Sequence, residues 1–224
     1  HAGTEETSSK IHQTTEDDFK KVLENLKRAS EYKSKNNLDC VIGAQALLLP
    51  ENADELGELA RICRDEVGID YLVVKPYSQH NFSETRIYEN IDYSDYRSLG
   101  DELQKLNTDS FNVVFRANPI KKYLNTHEDR YSKCSSTPFI WAYIMADGAV
   151  YGCSAYLLDP RFEYGNISDK TFKEIWQSKK REDNFHYVLD ELDISECRIN
   201  CRMDEANRYL YKLNKKSIPH VNFI

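Results

Sequence analysis

Four of the six cysteines, Cys134, Cys153, Cys197 and Cys201, fall in one stretch of this 224-residue chain. Thiolates are ligands for zinc and for iron–sulfur clusters, and four of them at one place make a closed metal site. Eighteen residues separate Cys134 from Cys153. Between them, Pro138 to Gly152 reads as two strands joined by a tight turn at Asp147-Gly148, a strong hairpin signal. One cysteine before the first strand and one ending the second bring two thiolates together. Cys197-Arg-Ile-Asn-Cys201 supplies two more just ahead of a helix. On residue type alone this set accepts both zinc and iron, and a structural zinc site is the first reading.

The other candidates depend on the elements that carry them. Residues 1–14 read as a polar loop. Thr15 with Asp18 resembles a capping box, and Phe19, Val22, Leu23 and Leu26 predict a helix over 16–31. Asp39 to Gln45 reads as a buried strand running on through Leu47-Leu-Leu49. Asn52 and Glu55 open a helix that Gly68 stops. Tyr71 to Lys75 lacks alternation, as a parallel strand covered on both faces does. A helix carrying Tyr96, Leu99, Leu103 and Leu106, a strand over Phe111–Phe115 and a short helix at Pro119 complete three βα units. Three parallel strands leave unpaired edges, so further strands are expected before His1. After Arg130 come the hairpin, a loop through Pro160 and Gly165-Asn166, and a helix capped by Ser168 or Asp169 that carries Phe172, Ile175 and Trp176. Helices near 181–191 and 203–213 follow.

In parallel βα folds, ligands meet the carboxyl ends of the strands. Gln45, Lys75, Tyr77, Arg116 and Asn118 are expected there, although each is equally well explained as a solvated loop residue. Cys40, in the expected first strand, and Cys63, on an apolar helix face, read as core cysteines. The six histidines show no ligand spacing, and His127 stands near Cys134 in sequence. Val221, Phe223 and Ile224 make an apolar tail expected to pack on the body.

The net charge of −7 argues against a sequence-independent nucleic-acid binder. No apolar run reaches membrane-span length and no signal-peptide pattern opens the chain. Clustered thiols without a disulfide framework fit a reducing cytoplasm.

The run Cys134, thirteen residues, Gly148, four residues, Cys153 resembles the opening of the SPASM and twitch domains of radical S-adenosylmethionine enzymes. Tyr164-Gly-Asn-Ile167, Phe172-Lys-Glu-Ile-Trp176 and Cys197-x3-Cys201 leading into Arg-Met-Asp-Glu-Ala-Asn207 agree with it. The resemblance implies an α/β fold. Residues 1–125 would be the C-terminal βα units of a partial (β/α) barrel, and 126–224 a small α+β twitch-like domain. It implies an auxiliary 4Fe-4S cluster on Cys134, Cys153, Cys197 and Cys201, in electron transfer because all four ligands are supplied. The complete enzyme would use S-adenosylmethionine and a second 4Fe-4S cluster to make a 5′-deoxyadenosyl radical, with flavodoxin or ferredoxin as electron donor. Ile42, Gly43, Gln45, Lys75 and Tyr77 would lie near S-adenosylmethionine, and Arg116 and His80 would face a small-molecule or peptide substrate. No catalytic residue is identified. The chain lacks the Cys-x3-Cys-x2-Cys motif that defines the family. The expectation is therefore a C-terminal fragment, inactive alone. The non-enzymatic alternative is a zinc-stapled binding or scaffold protein with a degenerate barrel.

Overall fold

The computed structural model describes residues 1–80, 83–96, 98–124, 130–198, 200–215 and 217–219. Contacts divide the chain into two units. One holds His1–Ser78 and Thr85–Asn125, the other Gln79–Glu84 and Thr126–Ile224.

The first unit is mixed α/β. It opens with α1 (Glu5–His12) and α2 (Glu16–Lys35). The polar start reads as loop from composition, yet it is helical. Thr4 Oγ1 accepts from Thr7 N at 3.3 Å, and Glu55 takes the N–H groups of Gly3 and Thr4, so a tertiary carboxylate holds the first turn. Acidic residues open α2 and Lys33 and Lys35 close it, in the sense that favours the helix dipole. The helix runs four residues beyond its expected end. Leu23 and Leu26 pack on the core, whereas Val22 is exposed.

Strand β1 (Gly43–Leu48) is followed by a 3₁₀ turn at Ala53–Glu55 and α3 (Leu56–Arg61), which continues as a π turn over Ile62–Val67. Gly68 ends it at φ 71°, a left-handed stop. Then come β2 (Tyr71–Pro76), α4 (Leu99–Gln104), β3 (Asn112–Phe115) and α5 (Ala117–Leu124). The strands pair in parallel in the order β1-β2-β3, with Gly43 opposite Tyr71 and Tyr71 opposite Asn112. The core gathers Leu48, Leu56, Ala60, Leu72, Val74, Leu103 and Phe111.

Two expectations are corrected here. Asp39–Ile42 precedes β1, so Cys40 is exposed rather than buried in a strand. In β2, Leu72, Val74 and Pro76 are buried while Tyr71, Val73 and Lys75 are half-buried. The sheet therefore covers one face fully and the other only in part. Cys63 is a core residue, and burial pushes its thiol up to about 11.

The second unit contains α6 (Thr137–Ile140), β4 (Tyr143–Ile144), β5 (Ala149–Tyr151), β6 (Glu163–Asn166), α7 (Phe172–Trp176), α8 (Lys179–Asp190) and α9 (Asp204–Asn214). The strands form an antiparallel sheet in the order β4-β5-β6. The hairpin turns at Asp147-Gly148 as expected, with Gly148 at φ 85°. Its first arm is shorter than expected, because Thr137-Pro138 opens a helical turn, a position proline favours. Gly165-Asn166 is strand rather than loop. It pairs with β5 across a bulge at Val150/Tyr151 that the sequence pattern does not announce. Thr171, not Ser168 or Asp169, caps α7. Its Oγ1 accepts from Glu174 N at 3.3 Å while Glu174 Oε2 accepts from Thr171 N at 2.8 Å.

Candidate metal centre

Three segments of the second unit carry the four clustered thiols. Cys134 ends the segment that enters α6. Cys153 lies two residues beyond β5, after Gly152, where any side chain would collide with the Tyr164 ring. Cys197 ends the 3₁₀ turn Ile194–Glu196, and Cys201 stands three residues before α9. All four line one small cavity of about 30 Å³. The remaining wall is largely apolar, with Phe162, Val188, Leu192 and Ile194. Among the described residues, no three Cys, His, Asp or Glu side chains are grouped as they would be around a single metal ion. The four sulfurs share one cavity wall without that single-ion grouping, which refines the expectation drawn from the hairpin.

Each sulfur faces an N–H or O–H group. Asn207 Nδ2 donates to Cys134 Sγ at 3.3 Å, and Cys134 Sγ lies 3.3 Å from Thr137 Oγ1. Ala155 N donates to Cys153 Sγ at 3.4 Å and Met203 N to Cys201 Sγ at 3.4 Å. Tyr156 Oη lies 3.5 Å from Cys197 Sγ. The two backbone donors stand two residues beyond their cysteines, so local turns supply them. Tyr156 is held by stacking on Phe162, with centroids 4.4 Å apart and planes 7° apart.

The electrostatics oppose free thiolates. Burial pushes the Cys153 thiol up to about 12, and burial also raises Cys197 and Cys201. The hydrogen-bond donors and the nearby Arg130 and Arg198 charges pull the other way without prevailing. Cysteines lining one cavity with donors already aimed at sulfur suit coordination, in which a cation displaces the protons. The donor set thus fits a thiolate-bound metal group.

Asn207 and Tyr156 are the residues that sequence reasoning left without a role. Asn207 is buried on α9 and Tyr156 lines the cavity. A polar residue at an apolar helical position was the available signal for Asn207.

The expected cofactor and substrate residues are not gathered. Ile42 precedes β1, its N–H donating to Asp70 Oδ2 at 2.6 Å, and Gly43 is the first residue of that strand. Gln45 lies in mid-strand and is exposed. Lys75 and Tyr77 lie at the carboxyl end of β2, about 15 Å from Gly43 at the usual rise per residue. Ile42 and Gly43 are therefore at the opposite end of the sheet from Lys75 and Tyr77. The expected strand began too early and displaced its carboxyl end, which lies at Leu48. Arg116 follows β3, its N–H donating to the Val74 carbonyl at 2.8 Å, and both it and Asn118 are exposed. His80 belongs to the second unit, where its Nε2 lies 2.9 Å from the Ser154 carbonyl, one residue beyond Cys153. His127 and the tail residues Val221, Phe223 and Ile224 lie outside the described residues. A larger, open cavity in the first unit is lined by Phe19, Val22, Leu26, Gln45 and Cys63, away from the carboxyl strand ends.

Residues 134–202 match the family model of the SPASM domain, described as an iron–sulfur cluster-binding domain. No curated protein matches the chain. A solved structure described as "Native anSMEcpe with bound AdoMet" is similar at 17% identity and a TM-score of 0.43, over 84% of this chain. This chain spans 58% of the length of that one. No helix is long and apolar enough to cross a membrane among the described residues.

Proposed function

We propose that this chain is the C-terminal part of a radical S-adenosylmethionine enzyme, and that Cys134, Cys153, Cys197 and Cys201 hold an auxiliary 4Fe-4S cluster. The observation that carries the reading is the cavity walled by four sulfurs, each with its own N–H or O–H donor. The SPASM match over the same residues supports it. Four sulfurs on one wall, not grouped as around a single ion among the described residues, favour a group of several metal atoms over one. A single tetrahedral zinc needs sulfurs within about 4 Å of one another, given a Zn–S bond of about 2.3 Å.

When bound, such a cluster supplies one-electron transfer. The chain's residues set the conditions for it. Four cysteines give a full ligand set, leaving no position for substrate. Phe162, Val188, Leu192 and Ile194 keep water from the sulfurs. The donors at each sulfur spread its negative charge. In this reading the first unit is the closing part of a partial barrel, and Lys75, Tyr77 and Arg116 near its carboxyl strand ends face S-adenosylmethionine or substrate. The radical chemistry belongs to the complete enzyme, with its defining three-cysteine motif.

Anaerobic reconstitution of the chain with iron and sulfide tests the site. The expected result is close to four iron and four sulfide per chain. Cys→Ser changes at 134, 153, 197 or 201 remove cluster, whereas Cys40→Ser and Cys63→Ser leave it intact. Tight zinc with no cluster under reducing conditions overturns the assignment in favour of a zinc staple.

A further inference from the structure

We propose that Arg198 sets the reduction potential of the group held by the four cysteines. The inference rests on the cluster reading above. Arg198 lines the same cavity as all four thiols and lies between Cys197 and Cys201 in sequence. Its Nη2 donates to Ser154 Oγ at 3.0 Å. Ser154 follows Cys153, and its carbonyl is bonded to His80 Nε2. The guanidinium is therefore tied to the segment of the second ligand while its backbone belongs to the segment of the last two.

The Nε atom of Arg198 is buried and has no hydrogen-bond partner. A buried guanidinium N–H without an acceptor is costly, and its persistence calls for a ligand. The other buried unpartnered side-chain atoms among the described residues are Glu51 Oε2, Ser78 Oγ and Ser136 Oγ, none of them on this cavity. Among the described residues, no carboxylate lines the cavity. Arg130, the other arginine that acts on Cys197, spends its Nη2 on the Cys197 carbonyl at 3.2 Å and is not part of the wall.

A cluster bound by four thiolates is anionic, and one-electron reduction adds a further negative charge. A fixed cation with a free N–H on the wall stabilises the reduced form more than the oxidised one and raises the potential. The electron comes from dithionite in the titration below, and no bond forms or breaks.

The test is a potentiometric titration of the reconstituted full chain, followed by the electron paramagnetic resonance of the reduced cluster. Arg198→Gln is expected to lower the one-electron reduction constant about tenfold, a fall of about 59 mV. Arg198→Lys keeps the charge without Nε and is expected to fall less. Ser154→Ala releases the guanidinium and is expected to shift the midpoint the same way. A fully loaded Arg198→Gln protein with the wild-type midpoint overturns the proposal. If that variant fails to load, wild-type midpoints in both Arg198→Lys and Ser154→Ala overturn it instead. A wild-type chain that takes up no iron and sulfide removes the cluster reading itself, a separate result from unchanged variants of a loaded one.

Discussion

Asn207 Nδ2 donates to the Cys134 sulfur at 3.3 Å, while its Oδ1 takes the N–H groups of Ser135 at 2.7 Å and Ser136 at 3.0 Å. One buried amide on α9 thus fixes the loop of Cys134, more than seventy positions away in sequence. Asn207→Ala leaves two backbone N–H groups unpaired and is expected to cost about 2–4 kcal/mol. Asn207→Asp keeps the acceptor but sets a carboxylate against sulfur. It is expected to unfold closer to wild type and yet retain less iron. Thermal unfolding and iron content read the two effects separately, and wild-type iron in Asn207→Asp would show that the amide donor is dispensable.

Tyr156 separates packing from chemistry in the same way. Tyr156→Phe preserves the stack on Phe162 and loses only the hydroxyl 3.5 Å from Cys197 Sγ. Stability is expected to change by less than about 1 kcal/mol. The visible absorption of the loaded protein shifts and its midpoint falls. An unchanged spectrum and midpoint would dismiss the hydroxyl as a sulfur donor.

Asp70 ties the amino ends of the parallel strands. Its carboxylate receives Lys33 Nζ at 2.7 Å and Ile42 N at 2.6 Å, and its carbonyl accepts from Asn112 N at 3.0 Å. Burial raises its pKa, but the Lys33 and Ile42 hydrogen bonds outweigh it and hold the group below the usual carboxylate range. A depressed carboxyl stabilises the fold above its unfolded pKa of about 4, and the contribution is lost as pH falls through the folded value. Asp70→Asn is expected to cost about 1 kcal/mol at pH 7, allowing for solvent screening of this half-exposed pair. Urea midpoints at pH 7 and pH 3 check it: the variant loses less on acidification than wild type.

Gly148 sits at φ 85°, and a methyl there would stand 2.6 Å from Asn166 Oδ1, the acceptor for Ser168 N. Gly148→Ala is expected to destabilise the second unit by about 1–2 kcal/mol, by backbone strain and by displacing that amide. Hydrogen exchange on β5 and β6 reads it locally.

The sequence exposed what depends on period and punctuation. The three parallel strands, Gly68 as a helix stop and the Asp147-Gly148 turn all follow from local signals. The spacing of the cysteines marked the set that shares one cavity. Tertiary causes stayed hidden. Helix α1 depends on Glu55, fifty residues downstream, and the pairing of Gly165 depends on a bulge in β5. The error of four residues at the start of β1 moved Ile42 and Gly43 to the far end of the sheet, because an apolar run does not say where pairing begins. The donors to sulfur were invisible for the same reason: Asn207 and Tyr156 acquire their partners only through packing.

The four cysteines also belong to a question of chain topology. Eighteen residues lie between the first pair, and forty-three between Cys153 and Cys197. A group bound to all four is a cross-link closing both loops at once. Loop closure of that kind removes freedom mainly from the unfolded chain, and more for the longer loop. If the four cysteines hold an oxygen-labile cluster as proposed, its loss reaches beyond the site. It frees the segment from Cys153 to Cys197, with β6, α7 and α8 inside it, and a protease added to the air-exposed protein cuts there first.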